Sequence, residues 1–232
     1  MDVSGRTVIV TGSGRGIGKA IAVLLAQKGA KVVVTARTKS EIDKVRDEIR
    51  SAGGDAISFP ADVTQPDSVK DMVQTTIQEY GSVDILVNNA GTGIRKLFTE
   101  TSQEELDNVM KVNVEGVFLC CQEVLPHMIS KRDGVIINIS SGAGKSGFPE
   151  LSAYCASKFA VNGLTESVAQ EVIDYNVRIY GVCPGSANTS LYRNLFPERA
   201  GNLTSPEKVA ESVLKVCKEG FRQRPGKCMD VY

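Results

Sequence analysis

Residues 154–158, YCASK, put Tyr154 and Lys158 four positions apart. On a helix that spacing brings both side chains to one face, one turn from each other. A free phenol ionises near pH 10, too high for easy proton transfer at neutrality. An ammonium within about 4–6 Å favours the phenolate and lowers that value by roughly 1–3 pH units. A nearby helix N-terminus adds a smaller effect of the same sign. Tuned in this way, Tyr154 could serve as general acid and base near neutral pH, where such a group works best. The point matters because the chain has a single histidine, His127, expected on the surface of a long helix. The alternative is an accidental pair, since Tyr and Lys stand four apart on many helices.

A second cluster lies near the N-terminus. VTGSGRGIGKAIA carries Gly12, Gly14, Gly16 and Gly18 between an apolar run and a helical pattern. Thr11-Gly12, three residues, then Gly16-x-Gly18 suits a tight turn whose backbone approaches a pyrophosphate at a helix N-terminus. A tight turn without a ligand is the plainer alternative. An acidic residue about twenty positions further on would bind a ribose 2′-hydroxyl. Here that place is Ala36, followed by Arg37, and Arg15 lies in the glycine loop. Two guanidinium groups suit a 2′-phosphate by charge and geometry. The expected cofactor is therefore NADP(H) in preference to NAD(H).

The elements that carry these residues alternate. RTVIVTG, KVVVTAR, DAISFPADV, VDILVNNAG, GVIINISS and VRIYGVCPG read as strands, with KCMDVY as a short seventh. Amphipathic segments separate them, including one long helix over about 102–130 with a bend expected at Pro126. Nearly all-apolar strands are buried on both faces. Strand–helix alternation implies an α/β fold, a single-domain, Rossmann-type, doubly wound parallel sheet with helices on both faces. One domain spans 1–232. The segment 186–205 follows a strand's carboxyl end and reads either as a lid over a substrate or as an ordinary surface loop.

Composition narrows the classes. Lys plus Arg and Asp plus Glu both total 27, so no basic surface for nucleic acid or lipid is indicated. The six cysteines have no CxxC or Cys/His metal spacing. Scattered cysteines, and no signal-peptide or membrane-spanning pattern, lead to the expectation of a reduced, cytoplasmic protein without a metal.

Together these motifs resemble the short-chain dehydrogenase/reductase family, closest in pattern to its 3-oxoacyl-[acyl-carrier-protein] reductase-like members. TGSGRGIG (11–18), NNAG (88–91), Asn113 in KVNVEGVF, Ser141 in INISSGAG, YxxxK at 154–158 and PGSANT (184–189) follow in the family's order. The resemblance implies four catalytic roles. Tyr154 exchanges a proton with the substrate oxygen, and Ser141 orients that oxygen. Lys158 holds the nicotinamide ribose and lowers the tyrosine's pKa, while Asn113 positions a water leading to Lys158. It implies cofactor contacts from Gly12, Ser13, Gly14, Arg15, Gly16, Ile17 and Gly18, and from Arg37. Asp62 and Val63 would lie at the adenine, and Asn89, Ala90 and Gly91 along its ribose. Tyr154, Lys158, Pro184, Gly185, Ala187 and Thr189 would contact the nicotinamide end.

Two features depart from the family. Ala187 stands where a larger aliphatic residue is usual, and the family's tail with an aspartate and paired glycines has no counterpart after RPGKCMDVY. A homodimer through the long helix and the YCASK helix, or a homotetramer, is expected. Val114, Val117, Phe118, Ala160 and Leu164 serve either that contact or the chain's own core. The pocket draws on Phe98, Phe148, Leu151, Leu191, Tyr192 and Phe196, which suits an apolar carbonyl compound or alcohol. Arg95, Lys96 or Lys145 could meet an anionic group. The implied activity is NADP(H)-dependent interconversion of a ketone or aldehyde and an alcohol, with a 3-oxoacyl thioester among the candidates. A nucleotide-binding regulator without turnover is the competing reading.

Overall fold

The computed structural model describes residues 2–198, 201, 203–219 and 225–231. The β-branched runs form β1 (Thr7–Thr11), β2 (Lys31–Ala36), β3 (Asp55–Pro60), β4 (Ile85–Asn88), β5 (Gly134–Ile139), β6 (Val177–Pro184) and β7 (Cys228–Val231). They pair in the order β3-β2-β1-β4-β5-β6-β7, and every pairing is parallel. Chain order therefore runs outward in both directions from the β1–β4 boundary. A crevice opens at the carboxyl ends of the strands at such a reversal.

The helices are α1 (Gly16–Gln27), α2 (Lys39–Ser51), α3 (Pro66–Tyr80), α4 (Gln103–Met110), α5 (Gly116–Lys131), α6 (Ser152–Val172), α7 (Ser190–Leu195) and α8 (Pro206–Glu219). Alternation along each strand divides the core into two layers. Val8, Val10, Val32 and Val34 meet α1, α2 and α8 on one face. Ile9, Val33, Leu86 and Ile136 meet α3, α5 and α6 on the other. No helix among the described residues is long and apolar enough to cross a membrane.

Two local expectations change, and two open alternatives gain detail. The long helix over 102–130 is α4 and α5 joined by a π-helical turn, Lys111–Glu115, while Pro126 lies inside α5. His127 is half-buried, and its Nε2 is enclosed without a hydrogen-bond partner. The two layers divide the candidate contact residues of α5: Val117 is buried in the chain's own core, whereas Phe118 is exposed. The segment 186–205 is closed at its base by a bridge between Ala187 and Thr204 and carries α7. Residues 199, 200 and 202 of that segment, Gly220 and Tyr232 lie outside the described residues.

One buried aspartate ties the amino ends of β1, β4 and β5 together, its carbonyl accepting from the Val135 amide at 3.0 Å. Asp84, with a side chain 5% exposed, accepts from the Thr7 amide at 2.8 Å and from Ser82 Oγ at 3.1 Å. Lys131 donates to its other oxygen, and Arg6 lies 3.5 Å away. Burial alone would raise this carboxyl, but Lys131, the Thr7 amide and Ser82 together hold it below the ordinary 3.8. A depressed carboxylate contributes stability above its unfolded pKa and loses it as pH falls through the folded value. Asp84→Ala is therefore expected to cost about 3 kcal/mol at pH 7, because it strands buried donors. Denaturant melts of the two proteins from pH 7 downward should show that gap closing below the ordinary carboxylate pKa.

Candidate active site

The site is built where β1 and β4 end. Thr11 Oγ1 accepts from the amides of Asn89 and Ala90, both at 3.0 Å. Asn89 Nδ2 returns bonds to the carbonyls of Thr11 and Gly12 at 2.9 and 3.1 Å. Gly12 has φ +65°, and a Cβ there would stand 2.8 Å from Ala90 Cα, so only glycine lets the two loops meet. The chain then enters α1, whose first turn has no acidic residue and no side-chain cap. Its free amides are open to an anion. Thr189 leans over this loop from the start of α7, with its methyl 3.4 Å from where a Cβ on Gly16 would lie.

A cavity of about 820 Å³ runs from this loop, past the end of β2, to Tyr154 and the inner side of α7. It is lined by all the expected catalytic and cofactor residues except Ser13, Gly18 and Asn113, whereas Phe98, expected in the substrate pocket, points to solvent, and Arg95 and Lys96 also lie outside the lining. Ser13 is wholly buried and joins two strands: its Oγ donates to the Val10 carbonyl at 2.7 Å and accepts from the Thr35 amide at 2.9 Å. Gly18 lies beneath the loop, where a Cβ would come 2.4 Å from the Gly12 carbonyl oxygen. Asn113 sits behind the wall, fully buried in the π-helical turn. Its Oδ1 accepts from the Thr92 amide at 2.8 Å, and its Nδ2 donates to Ser157 Oγ at 2.9 Å.

At the far end of the crevice the end of β2 carries no carboxylate: Ala36 lines the cavity and Arg37 follows it. Glu41, which sequence reasoning missed because it reads as one more solvated helix residue, also lines the cavity and lies 3.5 Å from Arg15. Asp62 is partly desolvated, which opposes ionisation. The Thr64 amide and hydroxyl at 3.0 and 2.8 Å, with Arg37 and Lys111 nearby, outweigh that and hold its carboxyl below the ordinary range. A glycine-lined cradle at an uncapped helix end, basic groups beside β2 and an ionised acceptor at Asp62 fit a dinucleotide.

At the other end Ser141 and Tyr154 both line the cavity, and Ser141 Oγ accepts from the Ala143 amide at 3.1 Å. Lys158 is buried, donates to the Ile139 carbonyl at 2.9 Å and lies 5.8 Å from the Tyr154 ring centre. The protein's own groups do not lower the Tyr154 phenol as its spacing to Lys158 suggests. Burial pushes it up, and the nearby Ser141 hydroxyl only partly offsets that. Burial also brings the Lys158 ammonium down to about 8.

A family model for short chain dehydrogenases matches residues 6–200. The chain belongs to that family. It is 37% identical over 224 residues to a 3-oxoacyl-[acyl-carrier-protein] reductase of Thermotoga maritima, covering 92% of this chain and 91% of the relative. It is 37% identical over 206 residues to an NADPH-dependent pterin aldehyde reductase of Arabidopsis thaliana, covering 88% and 84%. A 3-oxoacyl-[acyl-carrier-protein] reductase of Staphylococcus epidermidis is 39% identical over 181 residues, covering 78% and 74%. As a short chain dehydrogenase the protein is an oxidoreductase acting on carbonyl or CH–OH groups, and the family binds a nicotinamide cofactor.

The buried lysine has a measurable cost. A fall from 10.5 to about 8 corresponds to about 3 kcal/mol of unfavourable burial of the ammonium. Between those values the unfolded chain binds more protons, so stability from this group rises with pH. Lys158→Met is expected to stabilise the cofactor-free protein at pH 7. After about 1 kcal/mol for the lost bond to Ile139, the gain is about 2 kcal/mol, or roughly 5 °C in Tm. The advantage should shrink from pH 8 to pH 10, as thermal melts of both proteins would show.

Proposed function

We propose that the protein is an NADP(H)-dependent reductase of ketones or aldehydes, with Tyr154 as the proton donor. The observation that carries this reading is a single cavity lined at one end by Ser141, Tyr154 and Lys158 and at the other by the glycine cradle. The nicotinamide, when bound, supplies the hydride to the carbonyl carbon. Tyr154 gives its proton to the carbonyl oxygen, and Ser141 turns that oxygen toward the phenol. Lys158 would hold the nicotinamide ribose, and its charge would favour the phenolate left behind. Asn113 braces this group through Ser157, whose Oγ donates to the Tyr154 carbonyl at 2.7 Å, and it orders the water path to Lys158.

Arg15 and Arg37 receive the 2′-phosphate. Arg15 is largely exposed and its pairing with Glu41 at 3.5 Å is weak, so a phosphate dianion displaces it. The name of the Arabidopsis relative, an NADPH-dependent reductase, supports the same choice. The segment 186–205 acts as the substrate lid. The exposed side chains of Phe118 on α5 and Phe159 on α6 support a homodimer through those helices. Six free cysteines suit the reducing cytoplasm.

The test is oxidation of NADPH and NADH against a panel of ketones, aldehydes and 3-oxoacyl thioesters. Tyr154→Phe is expected to lose about 10²–10⁴-fold in kcat/KM while still binding NADPH, the usual contribution of a positioned acid. An active Phe variant would remove Tyr154 from its role, and NADPH binding without turnover of any substrate would favour a regulator. For the cofactor, Arg37→Ala is expected to raise KM for NADPH about tenfold, in line with one charge-assisted contact to phosphate, and to leave KM for NADH nearly unchanged. Equal losses with both cofactors would contradict the 2′-phosphate assignment.

A further inference from the structure

The three cations that could receive an anionic substrate already hold carboxylates. Lys96 Nζ lies 3.0 Å from Glu105 Oε1, and Lys145 Nζ lies 2.6 Å from Asp230 Oδ1. Arg95 holds two: its Nε donates to Glu150 Oε2 at 2.5 Å, and its Nη1 donates to Glu198. These partners come from different segments. Arg95 belongs to the β4–α4 connection, Glu150 to the β5–α6 connection, and Glu198 follows α7. The Lys96 amide adds a backbone tie to the Glu150 carbonyl at 2.7 Å. Glu150 keeps φ +63°, a strained conformation for a non-glycine residue, so its surroundings hold it in place.

Arg95 also grips α7 directly. Its Nη1 reaches the Leu195 carbonyl at 3.3 Å, and its guanidinium lies 4.9 Å from the centre of the Phe196 ring. Leu195 and Phe196 both line the cavity beside Tyr154. A Cβ on Gly93 would stand 3.1 Å from the Tyr154 ring and 3.2 Å from Leu195, so the lid and the tyrosine converge on one point. Phe196 also packs on the small cluster of Ala143, Leu151 and Cys155 with Tyr154. Arg193 on α7 is bonded to Asn188 and does not line the cavity.

We propose that Arg95 is the positioning residue that holds α7 against Tyr154, and that the apolar side chains it holds there, Leu195 and Phe196, favour uncharged, largely apolar carbonyl compounds. This rests on the reductase reading above and names the substrate class of that site. Arg95, Lys96 and Lys145 are each engaged by a carboxylate, so none of the three offers an unpaired charge to an anionic substrate. Leu195 and Phe196, held inward, offer apolar contact in its place.

Hydrogen exchange of the α7 amides in the NADPH complex tests the clasp without depending on turnover. Arg95→Leu is expected to speed exchange across 190–198 at least about tenfold while the sheet amides stay protected, and Arg95→Lys to restore part of the protection. In kinetics, KM for an uncharged ketone should rise about tenfold, with kcat changed less than about threefold and NADPH affinity unchanged, because uniform binding is lost. The wild type should prefer an uncharged ketone to its isosteric carboxylate, and Phe196→Ala should narrow that preference about tenfold, the scale of one lost apolar contact. Unchanged exchange at α7 in Arg95→Leu overturns the clasp, and equal use of charged and uncharged ketones by the wild type overturns the substrate class. If Arg95→Leu loosens the sheet as well, Glu198→Gln decides, since it must still speed exchange at α7 alone. A wild type that binds NADPH and reduces no ketone overturns the reductase reading, and the exchange data still decide the clasp.

Discussion

A buried chain of hydrogen bonds sets the distance between the cofactor end and the catalytic end. Asn88 on β4 donates to Asn138 on β5 at 2.9 Å, Asn138 donates to Thr165 on α6 at 2.9 Å, and Thr165 Oγ1 donates to the Val161 carbonyl at 2.7 Å. These three side chains are all but fully buried, and each is satisfied by protein. In a low-dielectric interior such a network rigidifies, because losing one member strands the next. Asn88 is followed directly by Asn89, which is locked to Thr11 and Gly12. Thr165 lies two turns beyond Lys158 on the same helix. The glycine cradle and the Tyr154 helix are therefore held to one another across the sheet by side chains that never meet a ligand.

That rigidity supports an electrostatic arrangement the fold alone would not favour. Lys158 and Tyr154 are both desolvated, which pulls the ammonium down and pushes the phenol up. Each shift favours the uncharged form, opposite to what proton transfer to a substrate asks of the phenolate. The Ile139 carbonyl and Ser141 hydroxyl supply fixed polar contacts, and further positive charge at the nicotinamide end would complete the balance. A site of this kind is a strained reservoir held by its frame, which is why the lysine is expected to destabilise the protein it serves.

The parts of this arrangement that sequence made legible are those with a local physical signature. Strand alternation, the glycine loop and the four-residue Tyr–Lys spacing each follow from a short period or a steric demand. The parallel sheet and most of the cavity wall are legible on that basis. The π-helical turn at 111–115 is different, because one extra residue in a helix leaves no mark in composition, and it is this turn that turns Asn113 inward. Ser13 reads as part of a phosphate loop, but its hydroxyl competes for backbone groups of β1 and β2 and wins a structural place. His127 has a helix-surface sequence context, and only tertiary packing encloses its Nε2. Spacing also misses the phenol's response: the four-residue interval says that Lys158 is near, but not that it aims at the Ile139 carbonyl.

The same contrast separates the two ends of the crevice. Around Gly12 the contacts are between backbones, so a substitution has nowhere to go and the geometry admits few residue types. Around Tyr154 the wall residue Phe196 is held from behind by Arg95, which also pairs with Glu150 and Glu198, at separations of 55 to 103 positions. Such contacts are set by side-chain reach and charge rather than by backbone clearance, so each can be exchanged without disturbing the sheet beneath. A dinucleotide end that tolerates little change and a substrate wall that tolerates much follow from that difference alone. It also explains why charged residues that look free in sequence turn out to be neutralised: at this end their partners lie in other connections, and no local pattern announces them.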